Sequence, residues 1–322
     1  MIENAAQAIA EVPVEEILRD ELSRCDAVVG TIAPILRQLL ANDDHSVFSD
    51  EIVARVRGMI RSVAVQLFDE VAAASEEPEQ RDHSAAAIEA LISSFVAHNE
   101  FLNHTHALAL EWQLIERLQA RLALDPVLSP LLQALIASAE ADTAGLAMTL
   151  LAAQARFAQS QRRMQLPLTE LPGDLLHAAL LAMRHCACAD EPAQNRAASA
   201  EAVIRARFDE SRSRLGLISR MVTGLGGGAS AALSVTHAGV GIFLTALALA
   251  SGQDRDMAVL ATNEGQRTRF ALALRASGLK PASVEEQFAA IHPDASLPPG
   301  FERLSADHAA ALLTRSSAFP GN

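Results

Sequence analysis

Tyrosine is absent from the 322-residue chain, tryptophan occurs once, and aromatic residues together make up 4% of it. Hydrophobic residues still account for 50%, so the apolar content is mostly Ala, Leu, Ile and Val. Ala and Leu lead the helix-propensity ranking, and strands draw on the aromatic and β-branched residues that are sparse here. The expectation is an all-α protein. Lysine is nearly missing too: Lys280 stands alone among the 26 basic residues, which reads as a composition bias more than a function. Cysteine occurs three times, as Cys25, Cys186 and Cys188. An odd number without framework spacing excludes a disulfide scaffold and fits a reducing cytoplasm. The opening "MIENAAQAIAEVPVEEILRD" has neither a basic region nor an apolar core of signal-peptide type, so a cytoplasmic location is expected.

Positive charge is scarce overall. The formal net charge is −13 and the pI about 5.2, so approach to a phosphate backbone is repulsive, which argues against nucleic acid as a partner. One cluster runs the other way: "IRARFDESRSRLGLISR" carries Arg205, Arg207, Arg212, Arg214 and Arg220. Pairing of Glu210 with Arg214 at i,i+4 would make it a solvated helix face. The functional reading is a docking patch for an acidic partner or anionic ligand.

Several motifs are missing. There is no H-E-x-x-H and no E-x-x-H of the di-iron bundles, no G-x-S-x-G, and no Lys-Ser/Thr after the glycines of "TGLGGGASAAL". That run matches G-x-G-x-x-A but lacks the strand that a dinucleotide site requires, so an inter-helix loop is expected. From 221 to 253 no charged residue occurs. The segment could cross a bilayer, which takes about 20 apolar residues. Its serines, threonines, His237, Gly239 and Gly241 favour short buried helices or one kinked helix. Membrane or lipid association through it, or an apolar groove for a partner helix or acyl chain, is the alternative.

Two stretches hold candidate metal ligands. In "SFVAHNEFLNHTHALALEW", residues 94–112, His104 and His106 diverge by about 160° on a helix, so a half-buried polar face is expected, with Glu100 and His104 as a surface i,i+4 pair. In "MRHCACADEP", His185 and Cys188 share a face and His177 lies two turns back, while Cys186 turns away. A closed zinc site needs about four ligands. Core filler is the plainer reading of the cysteines, and no metal or cofactor is assigned.

Helical segments follow one another. Residues 12–43 read as two helices, the second restarting near Pro34. Ser49, Asp50 and Glu51 form a helix start before the stripe Ile52, Val56, Met59, Ile60, Val63 and Leu67. "SEEPEQRDH" marks a linker, dividing an N-terminal helical region, 1–80, from a helical-repeat domain, 81–322. Helix starts near 124 (with Asp125 capping and Pro126 following), 171 and 215 are roughly 45 residues apart, within the roughly 40–47 of HEAT-type helix pairs. An α-solenoid-like stack of antiparallel helix pairs is therefore expected, with an irregular helical bundle as the alternative. At "IFLTALALASGQDRDMAVL" and "RTRFALALRASGL" the chain resembles a bacterial family of HEAT-like helical-repeat proteins of unknown function. That resemblance covers about 90–315, includes Gly252 and Gly278, and implies the solenoid without supplying catalytic residues.

The functional expectation is a non-enzymatic scaffold or regulatory module that binds a protein partner, with the stripe at 52–67 as a candidate homodimer or docking face. The alternatives are a metal-binding sensor or enzyme, and a lipid-associated protein.

Overall fold

Each long Ala- and Leu-rich segment is helical in the computed structural model, which describes residues 14–41, 51–74, 85–187 and 190–316. Among the described residues the elements are sixteen α-helices and short 3-10 turns, with no strand. They are α1 (Val14–Ala41), α2 (Glu51–Ala73), α3 (Ala85–Ala97), α4 (Asn99–Leu122), α5 (Pro130–Ile136) and α6 (Ala141–Arg162). There follow α7 (Gly173–Cys186), α8 (Glu191–Arg207), α9 (Arg214–Gly224), α10 (Ala229–Ala232) and α11 (Val235–Ala238). The chain closes with α12 (Val240–Ser251), α13 (Arg255–Leu260), α14 (Arg267–Ala276), α15 (Pro281–Ile291) and α16 (Ala306–Arg315). The protein is all-α.

Local chemistry accounts for most boundaries, and corrects three expectations. First, α1 is one helix with Pro34 inside it, not two. Pro34 removes one hydrogen bond and crowds the carbonyl of residue 30; that residue is the exposed Gly30, open to water. Secondly, Asp125 does not start a helix. Its Oδ1 accepts from the N–H groups of Val127 and Leu128 at 2.7 and 2.8 Å, making a turn, and α5 begins at Pro130 behind the Ser129 cap. Thirdly, His98 separates α3 from α4: its Nδ1 accepts from Phe101 N at 3.3 Å and caps α4. The helix starts expected near 171 and 215 are α7, which follows Pro172, and α9, capped by Ser213. The expected cap at Ser49 and Asp50 and the linker at 75–83 lie outside the described residues.

The apolar stripe of α2 is spent inside the chain. Ile52, Val56, Met59, Ile60, Val63 and Leu67 are all buried, against α3, α4 and α8. The uncharged segment is core at its centre. It runs from the end of α9 through α10, α11 and α12; Thr223, Gly226, Ser230 and Leu249 are exposed, and every residue of α12 from Val240 to Ala248 is buried. Gly239 turns the chain between α11 and α12 at φ 76°, a left-handed conformation natural to glycine. A side chain there would meet Ser129 Cβ at 3.0 Å. No described helix is long and apolar enough to cross a membrane. α12 touches α4, α9, α13 and α14, and one contiguous core extends from Leu18 to Leu313.

Candidate functional site

The stretch at 94–112 holds the centre of the molecule. Its polar face is not solvated, because α13 lies against it. His104 is 3% exposed and Glu111 0%. His104 therefore pairs with Asp256 of α13, its Nδ1 lying 2.9 Å from Oδ2, and not with Glu100. His106 diverges from it, as helical geometry requires, and stays half-buried.

Glu111 receives a guanidinium fork from α9: Arg214 Nη1 donates to Oε1 at 2.8 Å and Nη2 to Oε2 at 2.9 Å. Arg255 of α13 donates from Nη2 to Oε2 at 2.8 Å and from Nε to Thr245 Oγ1 of α12 at 3.1 Å. Gln154 of α6 accepts from Arg214 Nη1 at 3.3 Å. Five helices thus meet on one carboxylate. Arg214 occupies the first position of α9, where the helix dipole disfavours a cation. Its side chain turns inward onto the Phe157 ring, 3.6 Å from the centroid, and its backbone N–H donates to Glu170 Oε2 at 2.8 Å.

Burial alone would raise the Glu111 carboxyl. The charges and hydrogen bonds of Arg214 and Arg255 outweigh it and hold the group at about 2, below its ordinary 4.5. It is a fixed anion, suited to organising helices and not to carrying protons near neutral pH. Gly241 of α12 makes room for it: a Cβ there would meet Arg214 Nη1 at 3.0 Å, Gln154 Nε2 at 3.2 Å and Glu111 Oε1 at 3.3 Å.

Beside this centre, sharing Arg214 and Phe157 with it, is a cavity of about 190 Å³. Leu108, Leu166 and Leu215 line its apolar side, and Arg156, Arg163 and Glu170 its polar side. Burial pushes the Glu170 carboxyl up, against the pull of the Arg214 N–H and of the Arg214 and Arg156 charges.

A second polar network ties α1 to the C-terminal helices. Thr268 Oγ1 donates to Glu21 at 2.5 Å and Gln266 Nε2 to the Cys25 carbonyl at 2.8 Å. Arg269 pairs with Asp26, and Ser316 Oγ bonds the same carboxylate at 2.7 and 2.6 Å.

The expected arginine patch is dispersed. Arg214 is buried on Glu111, 1% exposed, and Glu210 lies in a 3-10 turn ahead of α9, so the Glu210–Arg214 pair does not form. Arg205 pairs with Glu201 at 2.8 Å and Arg207 with Glu70 at 3.0 Å. Arg212 and Arg220 are exposed, on a turn and on α9 respectively. Of the metal candidates, His177 is exposed and its Nδ1 accepts from Arg205 at 2.7 Å. His185 is exposed, Cys186 packs against the core, and Cys188 lies outside the described residues. Among the described residues no three His, Cys, Asp or Glu side chains converge as a metal cage would require.

Glu111, Gln154, Thr245 and Arg255 were not singled out from the sequence. The available signal was Glu111 itself, a lone acid between Leu110 and Trp112 in "ALALEWQLI"; its partners lie 103 and 144 residues away. No protein-family model, curated protein or solved structure matches the chain.

Proposed function

We propose that the chain is a non-enzymatic scaffold or regulatory protein that receives a protein partner along α1. The supporting observation is a line of exposed aliphatic side chains along one flank of that helix. Ile17, Val28, Ile35 and Leu39 are 39%, 50%, 51% and 44% exposed, and at about 100° per residue they fall within about 20° of one line. The row is roughly 33 Å long at about 1.5 Å per residue. Single exposed aliphatics need no explanation, but Val28, Ile35 and Leu39 follow one another on this flank beyond the charged Glu21 and Arg24, and aligned aliphatic anchors are the form in which helices dock to grooves or to one another. The adjoining face of α1, from Leu18 to Leu36 and about 100° further round the helix, is buried, and the Asp26 and Glu21 bonds fix the helix's orientation. The stripe of α2 is enclosed, so α1 takes over the docking or homodimer role assigned to the N-terminal region.

For the architecture, contacts such as α1 with α14 and α4 with α13 support the irregular-bundle reading over an open stack, in which each repeat touches only its neighbours.

The test is a Val28→Asp/Ile35→Asp variant compared with the unaltered chain by native co-purification and by light scattering at micromolar concentrations. Loss of a stoichiometric partner, or of a dimer, with unchanged helicity is expected. Retention of the same assembly by the variant, or a partner-free monomer throughout, overturns the proposal.

A further inference from the structure

We propose that the cavity beside Arg214 binds a small organic acid, a carboxylate on an apolar body of about one ring. This inference uses residues remote from α1 and is independent of the partner proposal. Size comes first. The cavity holds about 190 Å³, and a protein cavity of about 150 Å³ lined by aliphatic and aromatic side chains accommodates benzene.

The lining then sets the chemistry. Phe157, Leu108, Leu166 and Leu215 offer an apolar wall. The Phe157 ring is held in place by the Arg214 guanidinium stacked on it at 3.6 Å, so the wall is preorganised. On the open side Arg156 and Arg163 are exposed, and among the described residues neither makes an ion pair. The third guanidinium, Arg214, is already neutralised by Glu111. The charge left to the cavity is therefore two free guanidiniums against one carboxyl, Glu170. Glu170 also has one oxygen occupied by the Arg214 N–H. Guanidinium forks match carboxylates in geometry as well as in charge. An amine of the same size would gain nothing from either arginine.

The experiment uses the full chain with benzoate, phenylacetate and cyclohexanecarboxylate as probes and benzylamine as the matched cation, followed by ligand-observed NMR and calorimetry. At least one acid is expected to bind measurably better than benzylamine. In an Arg156→Gln/Arg163→Gln variant, whose altered residues are exposed, its affinity is expected to fall about tenfold or more. A Leu215→Trp variant, which fills the cavity, is expected to abolish binding, and the unchanged affinity of the Val28→Asp/Ile35→Asp variant keeps the two proposals separate. No binding by any of the three acids, equal binding of acid and amine, or an affinity insensitive to the double arginine substitution overturns the assignment.

Discussion

Two of the arginine–carboxylate contacts that join distant parts of the chain are built differently. The Glu111–Arg214 pair is sealed, at 0% and 1% side-chain exposure, with a second arginine, a glutamine and an aromatic ring completing it. The Asp26–Arg269 pair sits at an edge: Arg269 is buried, but Asp26 is 25% exposed and shares its oxygens with Ser316. A dry pair contributes little net attraction once desolvation is counted, yet breaking it strands a charge where water cannot follow. An edge pair can be replaced by water at modest cost. The first therefore dictates which helices meet. The second fixes how one helix lies on a body already formed.

The largest test removes one side of the sealed pair. Glu111→Gln leaves the buried Arg214 and the half-buried Arg255 without their counter-charge, and urea denaturation is expected to show a loss of about 3–5 kcal/mol. A loss below about 1 kcal/mol would place the two contacts in the same class.

Acid titration probes the same carboxylate without mutation. Glu111 is held at about 2 against 4.5, so its contribution, on the order of 3 kcal/mol, is fully present above about pH 4.5 and is lost as pH falls towards 2. His292 acts earlier. Its ring is buried against Phe270 and Phe288, and burial, with the Arg117, Arg267 and Arg121 charges, lowers it to about 4 from 6.5. The unfolded chain thus takes up that proton first, and stability declines as pH falls from about 6.5 to 4. Thermal melts across pH should show both limbs, and His292→Phe should erase the upper one only.

Asp26→Ala comes next, with an expected cost of about 1–3 kcal/mol. Its signature is local: amide exchange should accelerate in α1 and stay unchanged in α4. Acceleration in both would mean that the edge contact also helps to build the core. The smallest effect belongs to Gly241→Ala. The methyl group gains about 1 kcal/mol of helix propensity, but it presses on a pair that cannot give way, so a net loss of about 1–2 kcal/mol is expected in chemical denaturation. A gain would show that the centre is looser than its hydrogen bonds imply.

The contrast also explains what the sequence could and could not disclose. Ala- and Leu-rich periodicity makes the helices legible, and the α2 stripe and the enclosure of the uncharged segment follow from apolarity alone. Periodicity divides a helix into wet and dry faces, however, and says nothing of what covers a polar face. The stretch that holds His104 therefore reads as a half-buried polar face, whereas α13 covers it, and Arg214 reads with the exposed arginines because its neighbours in sequence are arginines. Gly241 looked like a helix breaker, whereas its role is to leave space for a guanidinium. Cavities assembled from α4, α6 and α9 have no local signature at all.

A double-mutant cycle on Glu111→Gln and Arg214→Met tests most directly whether this pair organises the core. The account predicts strong coupling, about 2–3 kcal/mol, because once one charge has been removed, removing the other relieves its isolation. Additivity within about 0.5 kcal/mol would contradict it, and would mean that the two side chains stabilise the protein independently of each other.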